Sequence, residues 1–253
     1  IVRGGVFLQD RIARPGSRHA WIPAVRVDHY RLRPDVDALW AEDNPRTVPV
    51  DVTQTSVSPR LGWTYRLGER VTLYGQYTHG FRSPPFEDVN VGLDLPLFGT
   101  RAIPNPNLQP ERSDGVEFGL RAERGRLRGT GSVYYNRYRD FIQSRVNLGR
   151  DASGTTIFQS RNLDRARIWG AELAGTWEPG AVGSPLDGVY LRAAAAWARG
   201  DDTARDRPLN TVDPAELVLG GGYAAPSGAW GAALVTTTVA AKRRVDDGVT
   251  SLV

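Results

Sequence analysis

Side chains along most of this chain alternate between apolar and polar with a period of two, over stretches much longer than an ordinary strand. Residues 57–67 show it most clearly. Val57, Pro59, Leu61, Trp63, Tyr65 and Leu67 fall on one face, and Ser58, Arg60, Gly62, Thr64 and Arg66 on the other. The alternation returns at Trp21, Pro23, Val25 and Val27 against Ala24, Arg26 and Asp28. It returns again at Trp169, Ala171, Leu173, Gly175 and Trp177 against Gly170, Glu172, Ala174 and Thr176. The pattern predicts about ten strands, roughly at 2–13, 19–33, 55–67, 70–82, 113–124, 127–144, 156–178, 188–200, 215–224 and 229–243.

The connections alternate as well. Short ones at 14–18, 68–69, 125–126, 179–187 and 226–228 are interleaved with long ones at 34–54, 83–112, 145–155, 201–214 and from 244 onward. With antiparallel neighbours, every short turn then lies at one end of the sheet and every long loop at the other. The second face also carries Arg26, Asp28, Arg60, Arg66, Glu172 and Arg192, which a water-filled lumen tolerates and a sandwich core does not. These features predict an all-β fold, an antiparallel transmembrane β-barrel section with short inner turns and long outer loops. Trp169 and Trp177 share the apolar face; at ~3.3 Å per residue and a ~40° tilt they stand ~20 Å apart along the membrane normal, close to the spacing of two aromatic girdles. A soluble amphipathic sandwich is the competing fold, but it has no reason to alternate long and short connections.

Composition removes several functional classes. None of the 253 residues is Cys, which excludes a disulfide framework, a thiolate metal site and a cysteine nucleophile. His19, His29 and His79 stand in no metal-binding spacing, so neither metal ligands nor catalytic residues are assigned. A barrel enzyme complete in itself would have to draw on His79, Glu87 and Asp88 near the outer rim. The net charge is +4 and the 28 acidic residues are interleaved with the basic ones, so no basic stripe tracks a phosphate backbone and no nucleic-acid partner is expected. No apolar run approaches the ~18–20 residues of a membrane helix. The chain begins at Ile1 with no signal-like segment, and is read as a processed chain or a piece of a longer one.

The connection 83–112 differs in kind from the others. It holds Pro84, Pro85, Pro96, Pro104, Pro106 and Pro110, which stiffen it, and it carries Phe86, Leu93, Leu95, Leu97 and Phe98. A stiff loop with apolar groups over a pore mouth is expected to be a recognition element or a lid. The bland alternative is a loop folded into the mouth for packing alone.

Its two ends carry motifs. Tyr77–Pro85 reads Y-x-x-G-F-R-S-P-P, and Ile103–Glu111 reads I-P-N-P-N-L-Q-P-E. These resemble the FRAP and NPNL boxes of TonB-dependent outer-membrane receptors, above all the haem/haemoglobin/transferrin/lactoferrin group. Ser58–Gly62, Tyr135–Ile142 and Arg167–Leu173 are similar too, so the resemblance spans nearly the whole chain. It implies localisation in the cell outer membrane, contact with outer-membrane lipid, and a barrel of about 22 strands filled by a plug. Residues 1–253 then form a partial barrel from which the plug domain is absent. The resemblance further implies partnership with the TonB complex through that plug and transport of haem or iron from a host carrier protein. No cofactor is held covalently; haem or a ferric chelate is the transported ligand.

Arg82, Pro84, Pro85, Asn105, Pro106, Asn107 and Glu111 are the expected binding-loop residues, placing the loop and hydrogen-bonding ligand or plug. His79, Tyr134 and Tyr138 are further candidate ligand contacts, although strand parity puts His79 with Val71, Leu73 and Tyr77 on the presumed lipid side. Residues 83–104 contain no His, Tyr, Met or Cys, so the loop offers no usual axial ligand for haem iron. A receptor for a ferric siderophore or another chelate is therefore the alternative reading.

About ten strands with two unpaired edges leave backbone groups that lipid cannot satisfy. The isolated 253-residue chain, added to a planar bilayer, is therefore expected to give no defined single-channel conductance; a reproducible unit conductance would overturn this.

Overall fold

A computed structural model describes residues 1–43 and 48–246. The strands are β1 (Val2–Gln9), β2 (His19–Leu32), β3 (Val52–Arg66), β4 (Val71–Arg82), β5 (Leu93–Leu95), β6 (Thr100–Ile103), β7 (Glu111–Arg124), β8 (Leu127–Arg150), β9 (Thr156–Trp177), β10 (Val189–Asp202), β11 (Arg207–Pro208), β12 (Glu216–Ala224) and β13 (Gly231–Val239). Two short helices, α1 (Ala38–Asp43) and α2 (Phe86–Asn90), lie in the long connections and are too brief for a helical period to show in the sequence. Residues 44–47 of the connection 34–54, and the part of the last outer connection from 247 onward, lie outside the described residues.

Ten strands pair in the order β1-β2-β3-β4-β7-β8-β9-β10-β12-β13, each antiparallel to the next, as the alternating turns require. Register fixes which side chains share a face. Trp21 pairs with Trp63, and Leu61 with Tyr77, continuing through Val116, Tyr135 and Trp169 on one apolar face. The exposed Val57, Phe118, Leu173 and Leu234 belong to that face, and their exposure is what a lipid-facing surface demands. The short-loop end has tight turns at 67–70 and 125–126 and longer connections at 10–18 and 178–188; at Gly125 the backbone takes φ 62°, a left-handed conformation that glycine enters without steric cost.

Aromatic side chains collect at two levels of the apolar face. His19, Trp21, Trp63 and Tyr65 cluster at the short-turn end, with Trp63 and Tyr65 stacked at 6.2 Å, and Tyr223 meets Trp230 there at 5.0 Å. At the long-loop end Trp169 packs edge-on against Trp197 at 4.8 Å. The two-girdle spacing expected from Trp169 and Trp177 is thus repeated on neighbouring strands.

The polar face is tied across strands. Gln76 Nε2 donates to Glu117 Oε2 and Tyr74 Oη to Glu117 Oε1 at 2.9 Å, while Arg60 reaches Gln76. Tyr134 lies across Gly170, where a Cβ would meet the Trp197 carbonyl oxygen and stand 2.7 Å from the tyrosine hydroxyl. Glycine at 170 is what lets the ring lie flat on the sheet.

Three features differ from the sequence reading. β8 and β9 have 24 and 22 residues, so the connection placed at 145–155 shrinks to 151–155. Bulges between Gln143 and Val146 and between Asn147 and Arg150, with positive φ at Asp140 and Arg145, break the period-two pattern that marks a strand, and conceal the extension. The long connection 83–112 is not irregular throughout: it contains α2, the β5–β6 hairpin and the start of β7 at Glu111. The first strand stops at Gln9 instead of 13, with only an isolated bridge between Ile12 and Trp21 beyond it.

The two faces should respond oppositely to charge. Leu173, 65% exposed between the girdles, when replaced by Arg should cost the full-length protein about 2–4 kcal/mol in vesicle unfolding titrations, while Thr130→Arg on the polar face should cost less than about 1 kcal/mol. Equal costs would refute the face assignment.

Candidate functional site at the barrel mouth

The connection 83–110 folds over the long-loop end of the polar face and is anchored there. Pro85 opens α2 at φ −62°, the value its ring imposes, and Pro84 is buried beside it. The helix turns Val89 inward, 1% exposed, against Leu108 and Ile142, with Val50 and Val52 completing the cluster. Asn90 is wholly buried, and its amide accepts from the Val50 N–H at 2.7 Å and donates to the Val50 carbonyl at 3.3 Å. An Asn side chain pairing both backbone groups of one residue acts as a missing strand neighbour, which satisfies what burial would otherwise leave costly.

Asn105 fastens the second end. Its N–H donates to the Asp88 carbonyl at 2.7 Å, its Nδ2 to the Ser160 carbonyl at 2.9 Å, and its Oδ1 accepts from the Asn107 N–H at 3.1 Å. Ser160 Oγ donates back to Asp88 Oδ1 at 2.8 Å, closing a circuit between α2, the second motif and β9. Asn162 repeats the device, accepting from Gln109 N–H at 2.8 Å and donating to the Gln109 carbonyl at 2.9 Å. Glu111 is buried, and its Oε2 accepts from Ile142 N–H at 3.1 Å with the Arg82 guanidinium 3.8 Å away.

Between these anchors the hairpin is held at its base and open at its tip. β6 adds in parallel to the upper edge of β9, where β10 has already ended at the Asp202–Ala166 pair. Arg101 and Asp94 pair across the hairpin at 2.7 Å. The turn that links the two strands presents Leu97 at 97% exposure and Phe98 at 77%. The neighbouring β8–β9 tip is closed by Asp151, which accepts from the Ser153 hydroxyl at 2.6 Å and from the backbone N–H groups of Ser153 and Thr155. Those bonds, the hydroxyl's first, hold the Asp151 carboxyl below the usual range.

Under the start of the loop lies a cavity of 670 Å³ whose walls include Arg3, Arg26, Tyr30, Ser56, Arg82 and Ser83. Arg26 is paired with Asp28 at 2.7 Å, Arg82 faces Glu111 at 3.8 Å, and Arg3 lies over the Tyr30 ring at 5.1 Å, with Glu87 also on the wall, so the cavity presents both charges. The Ser83 hydroxyl is buried there and has no hydrogen-bond partner among the described residues.

The residues singled out from the sequence divide accordingly. Pro84, Pro85, Asn105 and Glu111 stand in the anchoring network; Arg82, Pro106 and Asn107 stay exposed at its margin. Tyr134 lies over Gly170, and Tyr138 packs against Phe141 at 5.3 Å within the cluster of Leu163, Ala166 and Leu209. His79 Nδ1 is 2.9 Å from Asp114 Oδ1, which also accepts from Tyr77 Oη at 2.7 Å, on the apolar face at the upper girdle. Glu87 is exposed and Asp88 is bound to Ser160, so His79, Glu87 and Asp88 do not converge. Among the described residues no cluster of three or more His, Asp or Glu is placed to hold a metal. Asn90, Asn162, Arg3 and Tyr30 went unremarked in the sequence; for Tyr30 the signal was its parity with Arg26 and Asp28, whereas the two asparagines carried none.

Comparisons with known proteins bear on the family and the fold. A family profile described as TonB dependent receptor-like, beta-barrel matches residues 2–251. Hemoglobin-haptoglobin utilization protein B of Neisseria meningitidis is 27% identical over 257 residues, covering 87% of this chain and 31% of that protein. A probable hemoglobin and hemoglobin-haptoglobin-binding protein of Haemophilus influenzae is 28% identical over 216 residues, covering 81% of this chain and 21% of its own length. The chain therefore spans a third or less of these curated relatives. Among solved structures, the copper transporter OprC superposes with a TM-score of 0.72 at 23% identity, over 98% of this chain and 35% of the other. The siderophore receptor PirA from Pseudomonas aeruginosa gives 0.60 at 16% identity, over 93% and 36%. Likeness at these identities establishes the fold.

If the asparagine circuit holds the loop, Asn105→Ala in the full-length protein should loosen the 83–110 connection by about 1–3 kcal/mol, the cost of orphaned buried partners. Limited proteolysis should cut it faster without a change in the barrel's heat-modifiable gel mobility. An unchanged cleavage rate would show that the circuit does not hold the loop.

Proposed function

The chain belongs to the TonB-dependent receptor-like β-barrel family, an outer-membrane family, and on that premise we propose that it forms wall and mouth of an active-uptake receptor for haem or a haem- or iron-carrying protein. The observation that carries the reading is the exposed Leu97–Phe98 turn, presented on a loop whose two ends are fastened to the barrel wall by Asn90, Asn105 and Glu111. An apolar anchor on a rigid base gives up little conformational entropy when a protein surface closes over it. The names of the relatives, which refer to hemoglobin and hemoglobin-haptoglobin, support a protein cargo of that kind.

Arg82, Pro84, Pro85, Asn105, Pro106, Asn107 and Glu111 then serve the loop by position. Arg3, over the Tyr30 ring, offers a guanidinium to a carboxylate on a ligand that passes the cavity below. The chain acts by binding and by enclosing a path; the energy for transport comes from the TonB complex, through a plug seated against the polar face. The relatives are named for utilization and binding, which supports a binding and transport role. The second reading, a ferric siderophore or other chelate as cargo, is favoured by the lack of any His, Tyr, Met or Cys in residues 83–104.

Two measurements on the full-length receptor separate these. Removing residues 92–102 should weaken binding of a haem-carrying protein at least about tenfold; unchanged binding would sink the loop's role. Adding haem should shift its Soret band on binding, whereas no shift together with retention of a ferric chelate would replace the first reading by the second.

A further inference from the structure

Successive residues near the outer end of β8 divide between two faces. Ile142 packs with Val89 and Leu108 under the 83–110 loop, the face that the uptake reading uses. Phe141 packs instead with Leu163 and Leu209, and so turns toward the connection 203–215 between β10 and β12. Gln143 shares the side of Phe141 by the strand period of two. A bulge follows it: Gln143 pairs with Arg161 and Val146 with Gln159, so two residues of β8 stand against one of β9. Such a bulge bends the strand and re-aims its side chains.

On this second face lies a cavity of 350 Å³, bounded by the β8–β9 extension, the segment 202–209 and Asp246. Three arginines line it, and two of them are compensated. Arg205 faces Asp202 at 3.5 Å, and Arg207 faces Asp246 at 3.4 Å. Arg161 faces no carboxylate among the described residues; its Nε donates to Gln159 Oε1 at 3.4 Å. Directly opposite Arg161, Gln143 is only 8% exposed, yet its amide makes no hydrogen bond among the described residues. A buried amide left in that state is costly unless something in the cavity completes it.

We propose that this cavity binds a single acidic sugar presented outside the cell. Its carboxylate accepts from the Arg161 guanidinium and from Gln143 Nε2, a charge-assisted pair of bonds. Gln143 Oε1 and Asn147 Nδ2 remain for the ring's hydroxyl or amide substituents, and Leu163 and Leu209 offer an apolar wall to the ring. Ligand pockets run from about 300 to 1,000 Å³, and this one stands at the small end, with room for one ring. The carboxylate-bearing side chain of a peptide leaves such a cavity underfilled, which favours the sugar. Because Ile142 and Gln143 point to opposite faces, the site shares no wall with the 83–110 loop and does not depend on which cargo is carried.

The test measures binding of N-acetylneuraminic acid to the full-length receptor in detergent by saturation-transfer NMR, with the neutral methyl ester of the same sugar as the control. The acid should bind about tenfold more tightly than the ester. Arg161→Gln, at an exposed position outside both apolar clusters, should remove most of that preference. Gln143→Leu should weaken binding of the acid about fivefold. Leu97→Ser/Phe98→Ser, on the other face, should leave it unchanged. Heat-modifiable gel mobility confirms folding; should Gln143→Leu fail to fold, Arg161→Gln still decides. Three results would overturn the proposal: equal binding of acid and ester, no loss in Arg161→Gln, or N-acetyl-aspartate amide bound as tightly as the sugar, which would mark a peptide side chain as the occupant.

Discussion

Every backbone N–H and C=O within hydrocarbon must find its partner on a neighbouring strand, because no water is there to replace it. The rest of the structure follows from that requirement. Strands long enough to cross must pair along their whole length, which forces a continuous antiparallel ladder from β1 to β13. Each strand then shows one face to lipid and one to the lumen, so apolar and charged residues can alternate without either being misplaced. Leu173 at 65% exposure and Glu172 beside it are both in their proper solvent.

Beyond the girdles the requirement changes, and so does the architecture. The chain is again in water and folds as soluble protein does, around small clusters such as Val89, Leu108 and Ile142. The upper half of β9 has lost its neighbour β10; β6 and the Asn105 side chain bond to its backbone instead, the β9 residue Asn162 reaches across to Gln109, and Asn90 pairs the Val50 backbone elsewhere in the mouth. The loop is thereby rigid at its ends and exposed at Leu97 and Phe98, a combination suited to capture.

Much of this was legible in the residues. Alternation at 57–67 and 167–178 marked membrane strands, and the FRSPP and NPNL motifs marked the loop and the family. The limits are physical. β8 was cut short because the bulges between Gln143 and Val146 and between Asn147 and Arg150 shift the register of the later side chains, erasing the period on which the reading relied. Asn90 and Asn162 gave no signal, since an asparagine that completes a backbone pair looks in sequence like any loop asparagine.

From the sequence by itself came the fold class, the two faces, the orientation of long and short connections, and the importance of the 83–112 segment. These depend on periodicity and local propensity, which are properties of neighbours along the chain. Tertiary structure decided the rest: that Asn105 holds Asp88 and Ser160 together, that Tyr138 packs in a cluster with Phe141 and Leu163, and that Arg112, Arg139 and Arg165 form one rung. Partners drawn from different elements lie 17 to 72 positions apart, from Asn105–Asp88 at the lower end to Asp88–Ser160 at the upper. Only the register of the ladder, a sum over all its pairings, brings them side by side.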